Sequence, residues 1–338
     1  MNAYSFGILE PIKEVLKEKK HDYLWYVEDR IKEVFPFKNE PVTSKVTTLV
    51  SYKSDAIFVP GNEVPHYLRG LKVQVFHGLA GEKKGHFRIR HYFDVYLTQG
   101  PYFTRKFIEF KNKFKNFEVV ETGWPKLDVY GKKRHAYEAD KQVLLEKFTA
   151  KKIVLYAPTF SPSLTSAPFL LEEIRELSEN KDYLILIKFH DLMSSELIES
   201  YKKLANETDT IVYENERNII KFLLMADLMI SDTSSVVYEF LLLDKPVITF
   251  KNNSKNIQWD NSLSYTDLSI KVKENLEQDN FKEEREKIAS EYHPYNDGNS
   301  ALRMVETVEQ LIAKNGVPNY RKLPWLRRRK MNTMFGKI

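Results

Sequence analysis

Short apolar runs alternate with polar, glycine- and proline-marked turns along almost the whole chain. In the first half, Tyr23–Val27, Thr47–Ser51, Ala56–Val59, Lys72–Phe76, Asp94–Leu97 and Phe117–Val120 read as strands. In the second half, Lys152–Tyr156, Tyr183–Lys188, Thr210–Tyr213, Leu228–Ile230 and Val247–Phe250 do the same. Several are apolar at nearly every position, as strands covered on both faces must be. Helical spacing fits Ile8–Lys20, where Ile12, Val15 and Leu16 share a face, and also Phe169–Leu177, Ile219–Met225, Val236–Leu243 and Ala301–Lys314. Strands alternating with helices predict α/β architecture built on parallel sheets. A half of this kind usually opens on a strand. Only Met1–Tyr4 stands in that place, so either it is the remnant of one or the start is cut short. The charged stretch Tyr130–Ala150 marks the expected boundary. The expected division is residues 1–140, residues 141–316 and a basic tail, 317–338.

Composition narrows the classes. A chain of 338 residues is long for one core and fits two domains. No apolar run approaches the roughly 20 residues that span a bilayer, and the chain does not open on a signal peptide. Without cysteine there are no disulfides or thiolate metal sites, which fits a cytoplasmic setting. The net charge of +5 suits anionic ligands and is too small to argue for nucleic acid.

Candidate chemistry gathers where strands end. The stretch Ser231-Asp232-Thr233-Ser234-Ser235 lies between a buried strand and a helix. Such residues cap helices, and one suffices for that. Five in a row point further, to an anion held by backbone N–H groups and by the hydroxyls of Thr233, Ser234 and Ser235. Glu239, one turn on, is placed for a ribose hydroxyl. His77 follows a strand directly, with Gly78, Gly81, Lys83, Lys84 and Gly85 behind it. A histidine titrates near neutrality and can take a proton from an attacking hydroxyl. Such a residue also serves simply to tie neighbouring loops. The glycines and lysines favour chemistry, because backbone and cations can then approach a phosphate closely. Lys188 and His190 end another strand, two residues apart on one side. His86, Arg88, Arg90 and His91 form a basic face without the carboxylates of a metal site. The tail carries Arg321, Lys322, Arg327, Arg328, Arg329, Lys330 and Lys337 among Trp325, Leu326, Met331, Met334 and Phe335. It suits either an anionic membrane surface or docking on the body with its charges in water.

The motifs His77-Gly78-x4-Lys83-Lys84-Gly85, Thr122-Gly123-Trp124-Pro125-Lys126, Tyr156-Ala157-Pro158-Thr159, Lys188-x-His190, Ser231-Asp232-x-Ser234-Ser235 and Asp297-Gly298 occur in this order. Together they resemble the CDP-glycerol glycerophosphotransferase family, which includes the teichoic acid primases and polymerases. The resemblance covers Lys72 to Arg303 and implies a GT-B architecture, two Rossmann-like domains facing a central cleft. It implies His77 as base, His190 on phosphate, and Ser234 and Ser235 on the donor pyrophosphate, with Lys188, Thr159, Thr233 and Glu239 nearby. Asp297 and Gly298 would belong to a late donor-side loop, and Gly78, Lys83, Lys84 and Gly123 to the acceptor or phosphate side. Two departures leave the acceptor and the donor's alcohol open. Leu79-Ala80 stands where the family often has Thr-Pro, and Asp191 stands where it often has Pro.

The implied reaction moves a polyol phosphate, most simply glycerol phosphate, from a CDP-linked donor to a hydroxyl of a membrane-anchored glycan or teichoic-acid-like polymer. No metal or other cofactor is expected. A GT-B glycosyltransferase using a nucleotide sugar is one rival. A nucleotide- or polyanion-binding protein without catalysis is another.

Overall fold

The computed structural model describes residues 5–79, 85–131, 133–216, 218–255 and 257–337. The chain divides into two compact units, Met1–Lys133 with Ser290–Ile338, and Arg134–Ala289.

The first unit begins on helix α1 (Ser5–Glu18), which buries Phe6, Ile8 and Ile12. The expected opening strand at Met1–Tyr4 lies outside the described residues. A two-stranded parallel ribbon follows, β1 (Trp25–Tyr26) on β2 (Val42–Thr43). Phe6, Trp25 and Phe35 pack edge to face over it, with ring centroids 5.2–6.4 Å apart. The expected strand Thr47–Ser51 is instead helix α2 (Val46–Tyr52). Its β-branched residues favour a strand only where a pleated surface can pack them. No residue of α2 is buried, so nothing realises that preference, and Lys53 in the left-handed region ends the turn. The main sheet is β3 (Ala56–Val59), β4 (Leu71–Gln74), β5 (Val95–Thr98) and β6 (Glu118–Glu121), parallel and in sequence order, with helix α3 (Pro101–Phe114) linking the last two. Val73, Val95 and Leu97 are fully buried in it, and Tyr96 stacks on Phe107 and meets Phe117 edge-on.

The second unit carries α4 (Glu138–Phe148), β7 (Lys152–Tyr156), α5 (Leu171–Leu177), β8 (Tyr183–Ile187), α6 (Ser195–Glu207), β9 (Ile211–Tyr213), α7 (Ile219–Met225), β10 (Leu228–Ser231), α8 (Val236–Leu241), β11 (Val247–Phe250), β12 (Asp260–Ser262), α9 (Leu268–Glu277) and α10 (Lys282–Tyr292), the last crossing back to the first unit. Its six parallel strands lie in the order β12-β11-β10-β7-β8-β9. The chain lays down β7 to β9 outward in one direction, then returns to the other flank of β7 for β10 to β12. This is the doubly wound arrangement, and its switch point falls between β7 and β10. β7's inner residues and all of β8, β10 and β11 are buried, as continuous apolar runs require. Lys245 donates to the carbonyls of Leu223, Leu224 and Ala226 at 2.6–3.2 Å, closing the end of α7.

Helices α11 (Ser300–Asn315) and α12 (Trp325–Phe335) return to the first unit. Residues 290–316 therefore pack with the N-terminal half, not with residues 141–289 as the expected division had it. The contacts explain the return. Both Asp128 oxygens accept from the first N–H groups of α11, Ser300 and Ala301, at 2.8 Å. Gly123 has φ +85°, and a Cβ there would lie 2.4 Å from Ser300 Oγ. Arg321, nearly buried, donates to the carbonyls of His91 and Asn116 and pairs with Asp94. His293 accepts a hydrogen bond from the Trp124 N–H at 2.9 Å.

Burial holds the His293 imidazole neutral, its pKa pushed down to about 4. The unfolded chain, with an ordinary histidine, takes up a proton first as pH falls. This contribution is therefore complete above about pH 6.5 and is lost between there and pH 4, about 3 kcal/mol in all. His293→Gln should flatten that part of the pH profile of unfolding free energy. An unchanged slope in urea melts between pH 4 and 6.5 would show that His293 does not set it.

Candidate functional site

Two sets of polar groups lie at strand ends, one in each unit. In the second unit the set sits at the switch point, beyond the C-terminal ends of β7 and β10, where open α/β sheets place ligands. Asp232 organises it. Its side chain is fully buried. One oxygen accepts from the Thr159 N–H at 2.8 Å, and the other from the Ser166 N–H and hydroxyl at 2.8 and 3.0 Å. The loop after β7 is thus tied to the loop after β10. Burial raises the Asp232 pKa to about 6 even though these donors favour the carboxylate. Asn252 donates to the Asp232 carbonyl at 2.8 Å, and the Asn253 N–H donates to Thr233 Oγ1 at 3.2 Å. The loop after β11 joins the same knot.

Thr159, Thr233, Ser234 and Ser235 stay half-exposed on this framework, while Ser231 is buried and donates to the Ala157 carbonyl at 2.7 Å. Glu239 is buried in α8. That helix has only six residues, and at its start the Val236 N–H donates to Ser234 Oγ at 3.5 Å. Its dipole is correspondingly small, so the switch point carries more of the argument for a ligand than the helix start does.

Lys188 and His190 follow β8. Lys188 is buried and donates to the Phe189 carbonyl at 2.6 Å. His190 is exposed, with its ring 4.5 Å from that of Phe160. Partial desolvation lowers its pKa, so the ring is neutral at pH 7. Its Nδ1 faces the Leu192 N–H at 3.1 Å. An N–H can only donate, so Nδ1 is the acceptor and the ring proton sits on Nε2.

In the first unit, His77 follows β4 and is exposed. Phe76 turns the chain there at φ +60°, a costly angle for an aromatic residue, while its side chain remains in the core. His77 Nδ1 lies 2.9 Å from the Pro60 carbonyl. A carbonyl can only accept, so Nδ1 carries the proton and, in the neutral ring, Nε2 carries the lone pair. The two histidines are thus held by the backbone as opposite tautomers. Gln74 braces the same turn through the carbonyls of Val59, Pro60 and Gly61 at 2.8–3.4 Å, and Gln99 donates to the Gly78 carbonyl at 2.9 Å.

Lys83 and Lys84 lie outside the described residues. Gly123, Asp297 and Gly298 belong to the first unit, where they shape the approach to α11. Asp297 pairs with Arg303 at 2.6 Å and accepts from the Asn299 N–H at 3.0 Å, and Gly298 has φ +70°. Asp297 and Gly298 are therefore not part of the unit that carries the switch point. Sequence reasoning missed the central place of Asp232 and its partners Ser166 and Asn252. Asp232 stood in a quoted motif, but nothing in the sequence joins it to Ser166, which is 66 residues away.

A family profile for CDP-Glycerol:Poly(glycerophosphate) glycerophosphotransferase matches residues 10–310. The chain belongs to that family. Among curated relatives, a teichoic acid glycerol-phosphate primase of Bacillus subtilis (strain 168) is 28% identical over 222 residues, 60% of this chain and 55% of the relative. The teichoic acid ribitol-phosphate polymerase TarL of Staphylococcus aureus (strain NCTC 8325 / PS 47) is 28% identical over 228 residues, 59% of this chain and 39% of that one. The chain thus matches about half the length of these relatives or less. Among solved structures, the wall teichoic acid polymerase TagF superposes with TM-score 0.67 at 19% identity, covering 91% of this chain and 86% of that one. The MnaA–UDP co-structure of S. aureus gives 0.65 at 14% identity, covering 93% and 94%. At such identities the likeness shows the fold, α/β units of GT-B type.

Proposed function

We propose that the protein transfers a polyol phosphate, glycerol phosphate in the simplest case, from a CDP-linked donor to an acceptor hydroxyl, releasing CMP. The observation that carries this reading is the tautomer of His77. Its Nδ1–H donates to the Pro60 carbonyl, so the lone pair of the neutral ring sits on Nε2, the nitrogen that would take the hydroxyl proton. The acceptor oxygen then attacks the β-phosphorus, the P–O bond to CMP breaks, and its electron pair leaves with CMP. His190, with Nε2–H as donor, and Lys188 would stabilise charge on the phosphates, and Thr159, Thr233, Ser234 and Ser235 would hold the pyrophosphate, with Glu239 near the ribose. Family membership supports the CDP-linked donor. The relatives named above are teichoic acid enzymes, which supports a teichoic-acid-like or membrane-anchored glycan acceptor.

No described helix is long and apolar enough to cross a membrane. The tail offers a peripheral contact. Helix α12 seats Met331 in the core of the first unit and leaves Trp325, Leu326 and Met334 more than half exposed, among Arg328, Arg329 and Lys330. An anionic bilayer surface fits that face.

The experiment is nucleotide identification. The protein is incubated with CDP-glycerol, CDP-ribitol or UDP-sugars, a glycan-lipid extract and EDTA. CMP released only from a CDP-polyol, by protein that co-sediments with phosphatidylglycerol vesicles at low salt, is the expected result. UDP released from a sugar donor would replace the reading with a glycosyltransferase. Donor binding with no release of either nucleotide would leave a non-catalytic binder.

A further inference from the structure

The turn that carries His77 runs between two buried anchors. Phe76 takes φ +60° with its ring in the core, and Leu79, three residues on, is fully buried. Between them stand His77, exposed, and Gly78, half-buried. Gly78 has a glycine's backbone freedom, and nothing lies within 4 Å of where a Cβ would sit, so packing does not fix it. Gln99 reaches it instead. Its amide nitrogen donates to the Gly78 carbonyl at 2.9 Å.

Gln99 is an unfavourable choice for its surroundings. It is fully buried. A carbonyl can only accept, so the amide must turn its nitrogen to Gly78, and its oxygen then faces away. That oxygen, Oε1, is buried with no hydrogen-bond partner among the described residues. A buried acceptor left unpaired lowers stability, and a methionine of nearly the same length would fill the space without one. Gln99 is also held firmly from its own side. It follows β5 directly, the Thr98 and Thr104 hydroxyls share a hydrogen bond of 2.7 Å, and a Cβ on Gly100 would overlap the Tyr292 carbonyl. Gln74 does for the Pro60 side of the turn what Gln99 does for the Gly78 side. A strained φ and an unpaired buried oxygen thus meet at one short turn, and such features persist where function needs a fixed geometry.

We propose that Gln99 is a positioning residue for His77. By pinning the Gly78 carbonyl it fixes the path of the turn, so that Nδ1–H stays on the Pro60 carbonyl and the Nε2 lone pair keeps one direction. The proposal rests on the phosphotransfer reading, in which that lone pair takes the proton of the acceptor hydroxyl. Gln99 touches no substrate and acts only through His77. With Gly78 released, the imidazole can leave Pro60 and adopt the other tautomer, whose Nε2 carries a proton and cannot serve as base.

Gln99→Met in the whole chain tests it, with Gln99→Leu as a second apolar replacement. Turnover of CDP-glycerol should fall roughly 10- to 100-fold, as when a reacting group is displaced by about 1 Å. The melting temperature should stay at or above the parent's, because the unpaired oxygen is gone, and the dissociation constant for CDP-glycerol should not change. In a His77→Ala background the same substitution should slow turnover no further, since the group it positions is absent. Nitrogen-15 NMR of the imidazole gives a reading that needs no turnover. His77 of the parent should show the Nδ1–H tautomer, and His77 of the variants a mixture of both. Undiminished turnover in the two variants would overturn the proposal. So would a loss of turnover that tracks a fall in melting temperature, which marks a structural residue, or a further loss in the His77→Ala background, which gives Gln99 a part of its own. A parent chain that releases no CMP would sink the phosphotransfer reading, and the tautomer shift would still decide whether Gln99 positions His77.

Discussion

Replacing His77 with Ala should lower turnover by a factor on the order of 100 or more while leaving the dissociation constant for CDP-glycerol nearly unchanged. The split follows from where the groups lie. The proposed base belongs to the first unit and hangs on the turn formed by Pro60 and Phe76. The loops proposed to hold the donor belong to the second and are tied by Asp232. Because His77 is exposed, its removal creates no cavity, and the melting temperature should hold. His77→Gln separates proton transfer from positioning. Its side-chain amide can still donate to the Pro60 carbonyl but offers no basic nitrogen, so it should be about as slow as the Ala variant. Full turnover in either variant would remove His77 from the chemistry. Loss of donor binding in proportion to turnover would instead make it a binding residue.

The parts of the fold legible in the sequence are those where burial leaves little choice. β7, β11 and α7 were expected with the bounds they have; for the two strands, cover on both faces needs an unbroken apolar run. Segments whose conformation depends on neighbours were not legible. Thr47–Ser51 reads as a strand by residue type, yet it lies on the surface as α2. The return of α11 to the first unit rests on Asp128 reaching two N–H groups more than 170 residues on, and no local pattern announces that.

The site divides along the same line. His77, His190 and the serines at 234 and 235 were visible because each lies within a few residues of the end of an apolar run, at the edge where parallel sheets expose their loops. What orients them was hidden. The Pro60 carbonyl that sets the tautomer of His77 and the Leu192 N–H that sets that of His190 are backbone groups, which carry no signature in residue type. The same is true of the partners of Asp232. A motif read from sequence therefore named candidate side chains and missed the groups that decide which nitrogen of each holds a proton.

Asp232 should be the residue whose loss reaches furthest. Asp232→Ala strands three donors, the N–H groups of Thr159 and Ser166 and the Ser166 hydroxyl, in a place closed to water. Each buried donor left unmade costs about 1–3 kcal/mol, so a loss of roughly 3 kcal/mol is expected once the relief of burying a charge is set against it. Donor affinity should fall at least tenfold as the loops after β7 and β10 come apart. Asp232→Asn tells the charge from the framework. The folded-state pKa of about 6 lies above the ordinary carboxylate value, so between pH 3.8 and 6 the folded chain holds the extra proton. Stability from this group is greatest below that window and declines as pH rises through it, by about 3 kcal/mol. The Asn variant has no such proton and should lack this slope. It keeps an oxygen for Thr159 but turns an N–H₂ towards the Ser166 N–H, so it should fold and still bind donor more weakly. If denaturant melts of Asn and parent run parallel from pH 3.8 to 6, the carboxylate is not titrating as burial demands. If neither variant weakens CDP-glycerol, the donor is held somewhere other than the edge between β7 and β10.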